Sequence, residues 1–155
     1  MKLSDIIVTD AIISELKSRT RDEAIAELVE SLANAGAIPK KNTKEIVKAI
    51  LAREQQATTG IGKGVSLPHA KLKGMKKAVG TIGRSSEGID FAALDYKPVY
   101  AVILLLSSPE KPDEHLQAME TIFKHVQRDI FRKFLRQSET KEAIIELIRE
   151  ADELG

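Results

Sequence analysis

The stretch Pro98–Leu106, "PVYAVILLL", decides how the rest of the chain is read. It is nearly continuously apolar, rich in valine and leucine, and has the length of one strand. A run of that kind suits a central strand covered on both faces, whereas strict alternation would mark a strand with one face in water. It falls far short of the roughly 20 apolar residues that cross a bilayer as a helix. The flanking segments must therefore supply covers for both faces.

They read as helices. Residues 20–35, "TRDEAIAELVESLANA", carry a capping-box pattern in Thr20 and Glu23. Ala24, Ile25, Leu28, Val29 and Leu32 form an apolar stripe, and Gly36 with Pro39 marks the stop. Asn42 offers a cap for a second helix from about 43 to 55, with Glu45 three residues on. After "PVYAVILLL", the spacing of Leu116, Met119, Ile122, Phe123 and Val126 predicts another helix. A short one follows around "RDIFRKFLRQ", and a last one starts near Ser138 with Ala143, Ile144, Leu147, Ile148 and Ala151 inward. Lys76–Arg84, "KKAVGTIGR", reads as a second strand, and "SSEGIDF" as a turn into a short extended piece. Helices outnumber strands but the strands are interior, so one α/β domain with a sheet between helices is expected.

Composition narrows the function. At 155 residues the chain has the length of one ordinary domain, and no stretch resembles an interdomain linker. The N-terminus is interrupted by Asp5 and Asp10 and makes a poor signal peptide. Cysteine is absent, which removes disulfides, thiolate metal sites and thiol nucleophiles, and fits a cytoplasmic setting. Net charge is +1 with the signs interspersed, and aromatics are 4% of the chain, so neither a basic stripe nor a stacking platform for nucleic acid is present. No cofactor and no direct membrane insertion is expected.

The chemistry concentrates in Thr58–Ala70, "TTGIGKGVSLPHA". A phosphate-binding P-loop would need glycine at Ala57 and serine or threonine at Gly64, so that match fails twice. Gly60, Gly62 and Gly64 also lack the spacing of a dinucleotide fingerprint, and a helix precedes them. A flexible helix-to-strand connection is the plain reading of the glycines alone. What accompanies them changes it. Pro68 stiffens the backbone that presents His69. Free amides and the hydroxyls of Thr58 and Thr59 are suitable donors to an anion.

Three histidines occur, His69, His115 and His125. His125 stands beside Lys124 and near Arg128 and reads as exposed. His115 lies in the first turn of its helix, where the dipole favours the neutral ring and Asp113 and Glu114 oppose it. Arg53 continues the inward row of Ile46 and Ile50. A guanidinium there needs an anion, either a carboxylate such as Glu54 or a phosphoryl group, unless it snorkels to solvent. An arginine at a helix end, a glycine–threonine loop and a rigidly held histidine together point to phosphoryl chemistry on nitrogen. A metal hydrolase using His69 and His115 is the weaker reading, because no His-x-x-x-His pair exists.

These residues carry a resemblance. "AREQQATTGIGKGVSLPHA" resembles the active-site signature of the fructose–mannitol type (type 2) enzyme IIA domains of the bacterial phosphoenolpyruvate:sugar phosphotransferase system. The family pattern is met by Arg53-Glu54, by Thr58-Thr59-Gly60-Ile61-Gly62, by Leu67-Pro68-His69, and by His115-Leu116 opening a later helix. "EGIDF" and the "PV" before the apolar strand also match, and Ser66 stands where the family usually has alanine. The resemblance covers nearly the whole chain, and residues 1–155 are expected to form one such domain. It implies a three-layer α/β sandwich with a mixed sheet of about five strands flanked by helices. It implies that His69 is phosphorylated, with Arg53, His115 and Thr59 stabilising the phosphoryl group. The implied donor is a phosphohistidine on an HPr-type carrier protein, or its nitrogen-branch relative. The implied acceptor is a cysteine of an enzyme IIB domain or, in the nitrogen-regulatory branch that a free-standing chain also resembles, a regulated protein. A binding module of the same fold that no longer transfers phosphate is the alternative.

Overall fold

A computed structural model describes residues 1–155. Six helices form: α1 (Leu3–Ile6), α2 (Arg21–Asn34), α3 (Thr43–Gln56), α4 (Pro112–Val126), α5 (Asp129–Gln137) and α6 (Lys141–Leu154). Five strands form: β1 (Gly60–Gly62), β2 (Val65–Ser66), β3 (His69–Lys71), β4 (Val79–Ile89) and β5 (Val99–Ser107). They make one mixed sheet centred on β5, as the apolar run predicts.

One edge of β5 pairs antiparallel with β4, from Val79 opposite Leu106 to Ile89 opposite Val99. The other pairs parallel with β2 and then β3, so that His69 lies opposite Leu105 and Lys71 opposite Ser107. Pro68 separates these two short strands, and its carbonyl still accepts the Leu105 N–H at 3.0 Å. The N-terminal segment runs along the free edge of β4, bridging Ile7 to Gly80, Ile13 to Gly83 and Thr20 to Asp90.

Alternation along β5 supplies both faces. Ala101, Ile103 and Leu105 join a core with α1, α4, α5 and α6, whereas Val102, Leu104 and Leu106 join one with α2 and α3. Each of the three leucines is fully buried, worth about 1.5–3 kcal/mol per side chain relative to exposure. The result is the expected three-layer sandwich.

The boundaries differ from expectation in four places. The strand expected over Lys76–Arg84 begins at Val79 and does not stop at Arg84, because "SSEGI" continues β4 with an irregular register to Ile89. Its glycines are packing requirements: a Cβ on Gly80 would lie 2.5 Å from the Leu104 carbonyl oxygen, and one on Gly83 would lie 2.9 Å from Leu16 and Leu28. Asn42 does not cap α3 with its side chain. Lys40–Asn42 form a 3₁₀ turn, and Thr43 Oγ1 donates to the Lys40 carbonyl at 3.2 Å. The last helix starts at Lys141 because Thr140 Oγ1 accepts the Ala143 N–H at 3.1 Å. The loop expected between α3 and the apolar segment contains the β1–β2 hairpin. By contrast, Thr20 caps α2 as expected, accepting the Glu23 N–H at 3.3 Å.

Ser66 is fully buried in β2 and its hydroxyl finds no partner. A buried hydroxyl without a hydrogen bond is destabilising. Ser66→Ala is therefore expected to raise unfolding stability by about 1 kcal/mol, read from the urea midpoint. An unchanged or lower midpoint would show that the hydroxyl is satisfied in solution.

Candidate functional site

The parallel arrangement of β3 and β5 gathers the candidate residues. Both strands run in the same direction, so their C-terminal ends open on one side of the sheet, where α/β sheets commonly hold ligands. His69 begins β3, Ser107 ends β5, and His115 stands in the first turn of α4 just beyond. The first turn of α4 is tied to the start of β4 by the Glu114 carboxylate, which accepts the Ala78 N–H.

His69 is half-buried. Its Nδ1 lies 2.7 Å from the Leu67 carbonyl oxygen. A carbonyl only accepts, so Nδ1 carries the proton and the neutral ring keeps its lone pair on Nε2. Pro68 fixes the backbone between the two partners. Burial pushes the His69 pKa below the ordinary 6.5, and the Leu67 hydrogen bond opposes it. The charges of Arg53 and Lys71 lower it further, while Glu54 raises it. The ring is thus held neutral near pH 7.

His115 lies beside it, with ring centroids 5.7 Å apart and planes inclined at 47°. Burial, then His69, then Lys71 lower its pKa. The two acidic neighbours do not reverse that balance. Its Nδ1 sits 2.5 Å from Ser107 Oγ. Ser107 escaped the sequence reading, its signal being a hydroxyl that ends an otherwise apolar strand. Lys71 escaped it as well.

Arg53 sits in the last turn of α3, partly exposed, and its Nη1 donates to the Ala57 carbonyl at 2.9 Å. It makes no ion pair with Glu54. Glu54 is the buried residue, 3% exposed, and its carboxylate accepts both the hydroxyl and the N–H of Thr59. Thr59 therefore differs from the expectation. Both of its donors are occupied by Glu54, so in this structure it anchors the buried carboxylate instead of facing an anion. Thr58 is likewise engaged, donating to the Phe91 carbonyl at 2.7 Å.

His125 contradicts the reading of it as exposed. It is 3% exposed, packs against Phe131 with centroids 5.8 Å apart, and leaves Nδ1 without a partner. Charged sequence neighbours concealed this, because Lys124 points outward while His125 faces the α5 contact. Burial, then Arg128 and Lys124, lower its pKa, and Asp152 opposes them. In the other direction, Leu116, counted in the apolar row of α4, is 57% exposed beside His115.

All three histidines thus titrate lower in the folded chain than in the unfolded one, where the value is near 6.5. Between the folded and unfolded values the unfolded chain binds more protons, so stability rises with pH. The contribution is fully present above about pH 6.5 and is lost as pH falls through the unfolded value toward the folded ones. The urea midpoint is expected to be lower at pH 5.5 than at pH 7.5, and equal midpoints would contradict the burial of these rings. No group of three or more His, Cys, Asp or Glu side chains is placed to hold a metal ion, so the hydrolase reading lacks a third ligand.

The site thus places a half-buried histidine, its Nδ1 bonded to a backbone carbonyl, beside a second histidine. Residues 5–151 match the family model described as "Phosphoenolpyruvate-dependent sugar phosphotransferase system, EIIA 2". The chain is 33% identical over 153 residues to the PTS system fructose-specific EIIABC component of Bacillus subtilis, covering 98% of this chain but 24% of that much longer protein. It is 32% identical over 148 residues to a nitrogen regulatory protein of Bradyrhizobium diazoefficiens, covering 96% of this chain and 95% of that one. The solved complex of enzyme IIAMTL and phosphorylated enzyme IIBMTL from Escherichia coli shares the fold, with TM-score 0.73 and 21% identity over 92% of this chain and 96% of that one. The chain belongs to the EIIA 2 family of the phosphoenolpyruvate-dependent sugar phosphotransferase system. Members of this family are phosphotransferase components, which supports a phosphocarrier role. No helix is long and apolar enough to cross a membrane.

Proposed function

We propose that His69 accepts a phosphoryl group from the phosphohistidine of an HPr-type carrier protein and passes it on, in the cytoplasm. The observation that carries this reading is the Nδ1 contact with the Leu67 carbonyl, which leaves Nε2 as the free nucleophile. The Nε2 lone pair attacks phosphorus while the donor's P–N bond breaks, and the donor imidazole departs with that electron pair. The attacked ring gains positive charge, and its Nδ1–H, already directed at a carbonyl, disperses it. Onward transfer is the same displacement, with His69 as the leaving group and a cysteine thiolate as the nucleophile.

The neighbours take complementary parts. Arg53, lacking a carboxylate partner, is the cation for the phosphoryl oxygens. With the Ser107 hydroxyl donating to Nδ1, His115 keeps its proton on Nε2 and offers that N–H to the same oxygens. Thr59 acts through Glu54 as a positioning residue. Removing the Ser107 hydroxyl frees the His115 ring, so Ser107→Ala is expected to slow transfer about tenfold. His115→Ala is expected to slow it further, and wild-type rates in both would remove His115 from the reaction.

The acceptor divides two readings. The complex of IIAMTL with phosphorylated IIBMTL supports an enzyme IIB partner. The nitrogen regulatory protein of Bradyrhizobium diazoefficiens, 32% identical, supports a phosphorylation-dependent regulator. Incubation with labelled phosphoenolpyruvate, enzyme I and an HPr-type protein should give acid-labile, base-stable label. Discharge of that label onto an enzyme IIB cysteine would select transport, and its retention would select regulation. No label from any donor, together with a phosphate-independent partner, would favour the binding module that has lost transfer.

A further inference from the structure

Away from His69, the most strongly charged concavity lies between the β1–β2 turn, β4 and α5. It encloses about 600 Å³ and is lined by five cationic side chains, Lys63, Arg84, Arg132, Lys133 and Arg136, with no apolar residue on its wall. Asp129 and Glu139 are the acids on its wall; Asp129 is paired with Arg132, and Arg84 with Glu15, which does not line the wall, so Lys63, Lys133 and Arg136 carry no carboxylate partner.

Two of the guanidiniums are held in place, and a lysine is placed by its backbone. Arg84 is 6% exposed. Its Nε donates to the Arg136 carbonyl at 2.7 Å, and its Nη1 reaches Ser14 O, Glu15 and Ser86 at 3.2–3.4 Å. Its Nη2 donates to no protein acceptor. Arg136 lies over the Tyr100 ring, its Cζ 3.5 Å from the centroid, with no carboxylate partner. Lys63 stands at the hairpin tip at φ 58°, a left-handed conformation that favours glycine, and its N–H is tied to Asp95 at 3.0 Å. A second concavity of about 300 Å³, sharing Lys63, Arg132 and Arg136, adds Lys97 but also the Asp95 carboxylate and apolar residues such as Leu135.

We propose that this concavity binds a compact polyvalent phosphate-bearing anion of the diphosphate or bisphosphate class. Guanidinium forks match phosphate oxygens, and the fixed Arg84 and Arg136, on separate elements, lose little freedom on binding. The wall offers nothing to a base or a hydrocarbon tail. An acidic peptide would need apolar anchors, and the exposed Ile130 and Phe134 of α5 do not line the concavity. A bound anion would tie the β1–β2 turn to α5.

The test is titration of the full chain with inorganic pyrophosphate at constant ionic strength near about 0.15 M, by calorimetry and by backbone amide spectra. Saturable one-to-one binding is expected, with shifts centred on Lys63, Arg84 and Arg132–Arg136. Lys63→Gln and Arg136→Gln should each weaken it about tenfold in chains that stay folded, and orthophosphate should bind about tenfold more weakly. Absence of saturation, shifts centred on Arg53, His69 and His115, or equal binding by the folded variants would overturn the proposal. So would binding to vesicles of anionic lipid in the absence of any pyrophosphate binding.

Discussion

His69→Ala is expected to reduce phosphoryl incorporation from phosphoenolpyruvate, enzyme I and an HPr-type donor to background, with the fold intact. The side chain is half-buried at the start of a short strand, and its one hydrogen bond is to the Leu67 carbonyl. Its removal should change unfolding stability by about 1 kcal/mol or less. Neither other histidine can replace it. With Ser107 donating to its Nδ1, His115 carries its proton on Nε2 and has no free lone pair, and His125 is buried against Phe131. Label retained in a folded His69→Ala chain would place the phosphoryl group elsewhere. A neutral ring is the reactive form, so the wild-type acceptance rate should also hold as pH falls from 8 through the ordinary histidine value of 6.5 and decline only below it.

Arg53→Ala carries the second large effect. The guanidinium lowers the His69 pKa through its charge and has no carboxylate to neutralise it, so it is available to the incoming phosphoryl oxygens. Losing a preorganised donor of this kind costs about 10²–10³ in rate. Arg53→Lys should restore only part, because a point charge lacks the planar fork. The fold should tolerate both changes, since the one bond lost is to the Ala57 carbonyl at the end of α3. Wild-type rates in Arg53→Ala would reduce Arg53 to a helix-end contact.

Much of this arrangement was legible because it rests on local pattern. The unbroken apolar run of β5 announced a strand covered on both sides, and the stripes of α2, α4 and α6 announced the covers. The Pro68–His69 pair announced a stiffly presented imidazole. What escaped depends on tertiary contact. "SSEG" carries turn residues, yet it stays extended in β4, where Ser86 is held by the Glu15 carboxylate. His125 sits among charged neighbours in sequence and is buried through tertiary contact, with Phe131 of α5 packed against its ring. Thr59 and Glu54 are five residues apart, and nothing in their spacing shows that the threonine donors go to the carboxylate instead of an anion. Ser107 meets His115 only because β5 ends where α4 begins its first turn.

The most direct measurement is a long-range proton–nitrogen NMR spectrum of the phosphorylated chain, which tells the two ring nitrogens of a phosphohistidine apart. Phosphate is expected on Nε2 of His69, with Nδ1 still protonated against the Leu67 carbonyl. Phosphate on Nδ1, on His115, or on any residue other than His69 would contradict the proposed role of this site.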